Sequence, residues 1–151
     1  MSWLSEKEIV RFIIRNADRE TLDAFQGVFS MDALPTAVAR YPFLMIVNTQ
    51  ARNTPGEHWI SVYIGKDRRG EIFDSLALPL SNVLIRWMNT FSHSFVWNRL
   101  QYQHPLSARC GIYALLYVLK RLRNSKCITE SFSASLIDNE KHVIAFYRML
   151  K

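Results

Sequence analysis

Cys110 stands at the head of a long apolar stretch, Gly111-Ile112-Tyr113-Ala114-Leu115-Leu116-Tyr117-Val118-Leu119. The reactive form of cysteine is the thiolate, and a helix N-terminus favours it through unsatisfied N–H groups and a partial positive charge. Gly111 follows, a position with no side chain to crowd the backbone where a substrate must approach. A cysteine nucleophile needs a base, and imidazole can take the thiol proton and later return it to a leaving amine. His58 is placed for this at the start of an aromatic and β-branched run, after a polar stretch containing Gly56. Asp74 closes the next run, after Ile72-Phe73. If the segments flanking Lys66–Gly70 form a hairpin, His58 and Asp74 meet at its far end. A carboxylate there holds the imidazole in its working tautomer and stabilises the imidazolium. Gln103 lies seven residues before Cys110, in a loop broken by Pro105. Its amide can donate to a developing oxyanion beside the backbone N–H of Cys110, and Gln101 is the alternative donor. Trp59 either walls the cleft beside His58 or is a large core aromatic on its strand. Singly, each of these residues has an ordinary structural explanation, such as a small core thiol or a turn aspartate.

The surrounding pattern says which elements must carry them. Ser5 with Glu8 forms a capping box, and Ile9, Phe12 and Ile13 follow at helical spacing, which predicts a helix from about Ser5 to Arg15. A second short helix is expected over Arg19 to Phe25, with turns at Gly27 and at Asp32-Ala33-Leu34-Pro35. Phe43 to Val47 reads as a buried strand, Asn48 to Gly56 as a loop, and Trp59 to Ile64 as the next strand. Lys66 to Gly70 makes a hairpin turn, and Glu71 to Asp74 returns as a third strand. Helical spacing resumes over Leu80 to Phe91, and Phe95 to Tyr102 is a fourth strand candidate. Ser107 to Arg123 is the clearest helix: it is apolar all round, hence central and buried, and basic in its last turn, which suits the negative end of its dipole. Asp138 can cap a final helix carrying Val143, Ile144, Tyr147 and Leu150. The expected class is α+β, a small antiparallel-rich mixed sheet packed by helices, with a central buried helix starting at Cys110.

Composition sets the outer bounds. The 151 residues fit one domain, 1–151, and 49% of them are apolar. A chain of this length buries about 70% of its unfolded surface, enough for one core without staples. No uncharged apolar run reaches the roughly 18 residues a membrane helix needs. Trp3-Leu4 runs straight into Glu6-Lys7-Glu8, which is no secretory signal. An intracellular, reducing location follows as the expectation, with Cys110 and Cys127 as thiols. No His is spaced to join the two cysteines in a metal site. The net charge of +6 comes from small clusters: Lys66-Asp67-Arg68-Arg69, Lys120-Arg121-Leu122-Arg123, Lys126, and Arg148 with Lys151. Such clusters give either affinity for polyanions or solubility alone.

The order and spacing of the chemical residues resemble one family. Val47-Asn48-Thr49, then Gly56-Glu57-His58-Trp59, Phe73-Asp74, and Gln103 through Ser107-Ala108-Arg109-Cys110-Gly111 is similar to the adenovirus maturation protease, adenain. The same layout occurs in the related proteases of SUMO-like modifiers, the broader clan CE. The seven-residue step from Gln103 to Cys110 matches adenain, whereas the SUMO proteases have one fewer. The acid Asp74 matches the SUMO proteases, since adenain uses Glu. The resemblance spans roughly Leu22 to Arg123. It implies the papain-like cysteine protease fold in the rearranged chain order, with His before Cys. It implies a triad of Cys110, His58 and Asp74 with Gln103 at the oxyanion; Trp59 and Gly111 are expected, from their own residue types and places, as substrate contacts. It also implies a thiol endopeptidase that processes viral-type structural precursors at Gly-containing sites. The segment from Phe25 to Asp32 is also similar to relatives encoded by virus-like DNA transposons (Polintons). A monomer acting in a host nucleus or virion, on a polypeptide substrate and away from membranes, completes the expectation.

Adenain is activated by DNA and by a disulfide-held peptide. The residues themselves require no cofactor. The basic clusters fit DNA as an activator, but no Cys lies between His58 and Cys110 to tether a peptide. A peptide activator is therefore either absent or bound without a covalent link. Two other functions compete: an isopeptidase of ubiquitin- or SUMO-like modifiers, and a basic DNA-binding module with a vestigial protease site.

Overall fold

The computed structural model describes residues 4–49, 58–124 and 128–151. Most of the expected loop before His58, the Gly56-Glu57 part of the motif, Lys126 and Cys127 lie outside the described residues.

Helix α1 (Glu6–Asn16) starts at the expected capping box, with the Ser5 hydroxyl accepting from the Glu8 N–H at 3.2 Å, and it buries Ile9 and Ile13. Helix α2 (Arg19–Ala24) is capped by Asp18, which accepts from the Thr21 N–H at 2.8 Å. Strand β1 (Phe25–Ser30) follows without a break. Gly27 therefore lies in a strand, not in the expected turn. Its φ of +135° coincides with a register shift between Phe25 and Val28 against β2, so its conformational freedom serves a bulge.

Strands β2 (Phe43–Asn48), β3 (Trp59–Ile64) and β4 (Arg69–Phe73) form an antiparallel meander. Strand β1 joins β2 in parallel and the short β5 (Ser94–Trp97) joins β4 in parallel, giving the order β1-β2-β3-β4-β5. The sheet is thus mixed, with as many parallel as antiparallel pairings. The β3–β4 turn places Arg68 at φ 62°, and β4 begins two residues earlier than the sequence suggests.

Period-two alternation sorts the strand residues onto two faces. Leu44, Ile46, Trp59 and Phe73 meet one cluster, built around helix α4 (Cys110–Arg121) with α1 and helix α5 (Leu136–Arg148). Met45, Val47, Ile60, Val62 and Ile72 meet the other, built on Leu84, Trp87 and Met88 of helix α3 (Asn82–Phe91). Helix α4 lies against the sheet on one side and against α1, α5 and the 3-10 turn at Ile128–Ser131 on others. That wrapping explains why every residue from Cys110 to Leu119 is buried and why its sequence shows no polar stripe.

Other boundaries also differ from the sequence reading. Helix α4 begins at Cys110, so the nucleophile candidate is its first residue. Strand β5 ends at Trp97 because the Asn98 side chain turns to the backbone of Asp74. Helix α5 is capped by Ser135, whose hydroxyl accepts from the Asp138 N–H, and Asp138 sits in the first turn instead of at the cap.

Candidate active site

The β3–β4 hairpin does what its spacing implies. Ser61 pairs with Phe73 across the ladder, so the residues just beyond the pairing, His58 and Asp74, meet at the hairpin's open end. His58 Nε2 lies 2.7 Å from Asp74 Oδ1, and both side chains are 9% exposed. A ring whose Nε2 is engaged by a carboxylate presents Nδ1 to its other neighbour, and the His58 side chain hydrogen-bonds to Cys110. Burial by itself would push the imidazole down, but the bonds to Asp74 and Cys110 outweigh it and raise the pKa to about 9. The proton therefore resides on His58 at neutral pH.

Cys110 faces this cation from the first turn of α4. Arg109 at the helix N-cap makes no side-chain capping bond, so the positive end of the dipole is not quenched by a cap.

Asp74 is held more firmly than a turn aspartate requires. Its Oδ1 also accepts from the Leu76 N–H at 2.9 Å and its Oδ2 from the Leu78 N–H at 3.2 Å. Asn98 then grips its backbone from both sides: the Asp74 N–H donates to Asn98 Oδ1 at 2.9 Å, and Asn98 Nδ2 donates to the Asp74 carbonyl at 2.6 Å. Sequence reasoning missed Asn98. Its only signal is a polar amide closing an aromatic run, which is too common to stand out.

Gln103 is buried, and its amide has a defined direction. Nε2 donates to the Ser107 carbonyl at 2.8 Å, and Oε1 accepts from the Ser75 hydroxyl at 2.6 Å. Gln101, the rival, is half-buried and donates to the Gln103 carbonyl at 2.9 Å.

Trp59 and Gly111 sit elsewhere than the substrate contacts expected of them. Trp59 is 2% exposed, and its indole N–H donates to the Leu4 carbonyl at 3.1 Å. A Cβ built on Gly111 would come within 3.2 Å of both Leu4 and Trp59. A side chain at this position would press on both neighbours, because α4 approaches the aromatic closely, and both residues pack behind the site.

Both ends of α4 are tied to neighbouring elements by charge. Near its start, Arg109 lies 3.5 Å from Glu140 of α5, which also accepts from the Tyr113 hydroxyl at 2.7 Å. Near its end, Arg121 pairs in bidentate fashion with Glu71 of β4, and the Tyr117 hydroxyl donates to the same carboxylate. Burial first, and Glu71 next, push the Tyr117 phenol upward, so it stays a donor. These ties fix the helix bearing Cys110 against the strand leading to Asp74.

A cleft of about 210 Å³ opens beside His58 and Asp74, lined by Met31, Thr49, Ile60, Leu78, Leu80 and Leu84. Among the described residues no cluster of three His, Cys, Asp or Glu side chains is arranged to hold a metal ion, and no helix is long and apolar enough to cross a membrane.

No protein-family model matches the chain, and no curated protein sequence matches it. Solved structures do. The ASFV pS273R protease superposes with a TM-score of 0.63 at 18% identity, over 91% of this chain and 64% of that one. The central domain of the Lpg1148 protein from Legionella pneumophila gives 0.56 at 16% identity, over 98% and 96% of the two chains. The Chlamydia abortus effector ChlaDUB gives 0.55 at 17% identity, over 95% and 76%. The chain thus shares its fold with these structures, and it spans just under two thirds of the ASFV protease's length.

Proposed function

We propose that the chain is a cysteine protease in which Cys110 is the nucleophile, His58 its acid–base partner, Asp74 the orienting carboxylate and Gln103 an oxyanion donor. The observation that carries this reading is the buried 2.7 Å contact between His58 Nε2 and Asp74 Oδ1, with the same His58 side chain hydrogen-bonded to Cys110. Each step follows from that order of contacts. The sulfur attacks a substrate carbonyl and forms a tetrahedral oxyanion, stabilised by the Gln103 amide and the Cys110 backbone N–H. His58 delivers its proton to the departing amine, leaving a thioester on Cys110. A water then gives its proton to His58 as it attacks the thioester, which releases the acid product and restores the thiolate beside a protonated His58.

The substrate reading is an endopeptidase for viral-type structural precursors, cut at Gly-containing sites. Likeness to the ASFV protease fold and the seven-residue step from Gln103 to Cys110 support it. Deconjugation of ubiquitin- or SUMO-like modifiers is the second reading, supported by Asp74 as the acid and by likeness to ChlaDUB. DNA is proposed as an activator on the strength of the +6 charge. A basic module with a vestigial site is the remaining alternative.

The test is cleavage of a peptide containing a Gly-Gly site by wild type and by Cys110→Ala. The variant is expected to lose about 10³-fold or more in rate while keeping its fold. Cleavage by the variant within tenfold of wild type would sink the assignment. Modifier proteins carrying a C-terminal electrophile separate the first two readings: adducts on Cys110 favour deconjugation, and peptide cleavage without adducts favours the endopeptidase.

A further inference from the structure

We infer that Ser75 is a positioning residue that sets the direction of the Gln103 amide and so joins the acid loop to the oxyanion site; this rests on the protease reading above. Ser75 is 1% exposed and Gln103 is 1% exposed, so neither side chain has water as an alternative partner. An amide group can sit in its site either way round, and its neighbours decide which. The Ser107 carbonyl can only accept, so it demands the NH₂ end, 2.8 Å away. That leaves Oε1 to be satisfied on the other side, where the Ser75 hydroxyl donates to it at 2.6 Å. Ser75 also holds the backbone of this loop, its carbonyl accepting from the N–H groups of Tyr102 and Gln103, both at 2.9 Å. Three bonds from one residue therefore locate Gln103, and that residue directly follows Asp74 in the chain.

The second hydrogen of Gln103 Nε2 makes no other hydrogen bond among the described residues, which leaves it for the substrate oxyanion. A donor of this kind contributes only if it is fixed before the charge develops, because reorientation during the reaction costs what the bond returns. Without the Ser75 hydroxyl, a buried Oε1 loses its partner and the amide turns to find another. The acid, Asp74, and the residue that holds the oxyanion donor, Ser75, are thus neighbours in the chain.

The experiment is a double-mutant cycle on Ser75→Ala, Gln103→Ala and the pair, with a fluorogenic Gly-Gly peptide amide as substrate and iodoacetamide alkylation of Cys110 as a second readout. Ser75→Ala is expected to lower kcat about tenfold or more with little change in KM, and the double variant to be no slower than Gln103→Ala alone. Alkylation, which develops no oxyanion, is expected to proceed at the wild-type rate in all three. Wild-type kcat in Ser75→Ala, effects that multiply in the double variant, or a matching loss of alkylation would each overturn the inference. If the alanine variant does not fold, Ser75→Cys, a slightly larger side chain with a weaker donor, is read in the same cycle, with alkylation mapped to Cys110 by mass. Should Cys110→Ala still cleave the peptide, the protease reading fails; should only the Ser75 cycle fail, that reading stands.

Discussion

The charge of the His58 ring is set by opposed effects, and the outcome depends on which wins. Burial favours the neutral imidazole, whereas the bonds to Asp74 and Cys110 favour the cation and prevail, raising the pKa to about 9. Removing the charge of Asp74 while keeping its shape reverses the balance. In Asp74→Asn the His58 midpoint, followed through the imidazole C–H resonances, is expected to fall from near 9 toward or below the ordinary 6.5, and the cleavage rate to drop about 10²-fold or more. A midpoint unchanged by that substitution would contradict the account. Stability follows the same sign. Because the folded-state value lies above the unfolded one, the pair contributes stability that is fully present below about pH 6.5 and is lost as the pH rises through 9. The urea midpoint of the wild type should decline across that window, and Asp74→Asn should flatten the decline. Equal slopes in the two proteins would mean that His58 is not the group responsible.

Elements, more than single residues, explain why the site is assembled. The β3–β4 hairpin brings His58 to Asp74, and α4 delivers Cys110 at its first turn. Gly111 lets that helix come close to Trp59. In Gly111→Ala the new methyl meets Leu4 and Trp59 at 3.2 Å, so a loss of about 1–3 kcal/mol is expected by chemical denaturation. A variant as stable as wild type would show that this contact yields freely. The hairpin and α4 were legible in the sequence because each has a strong local signal, the turn at Lys66–Gly70 and the unbroken apolar run after Cys110. The bulge at Gly27 was not, since a glycine with positive φ looks the same in a turn and in a strand. Nor was the end of β5, because the residue that stops it, Asn98, does so through Asp74, 24 positions away. Ser75 stayed hidden for a similar reason: its hydroxyl acts on Gln103, 28 residues on, and only the closed loop brings them together.

At the scale of the whole molecule the charge has less freedom than its total implies. Arg121 is engaged by Glu71, Arg123 pairs with Asp18 at 3.0 Å, and Lys120 lies over the Phe146 ring. The cluster at 120–123 that reads as a polyanion site in sequence thus does structural duty within the fold. If DNA nonetheless binds as an activator, its affinity must fall with salt, with a logarithmic slope of about −0.9 for each phosphate neutralised. Binding titrations between low and physiological salt would show it, and a flat response would contradict the activator role.

The central claim is that Cys110 is a nucleophile activated by His58, and the most direct measurement is the pH dependence of iodoacetamide alkylation at Cys110, mapped by mass, in wild type and in His58→Ala. The account predicts that wild-type Cys110 reacts at pH 6 at least tenfold faster than an ordinary thiol, whose thiolate is scarce there, and that His58→Ala abolishes the advantage. A Cys110 that reacts no faster than an ordinary thiol at every pH, and equally in both proteins, would contradict it.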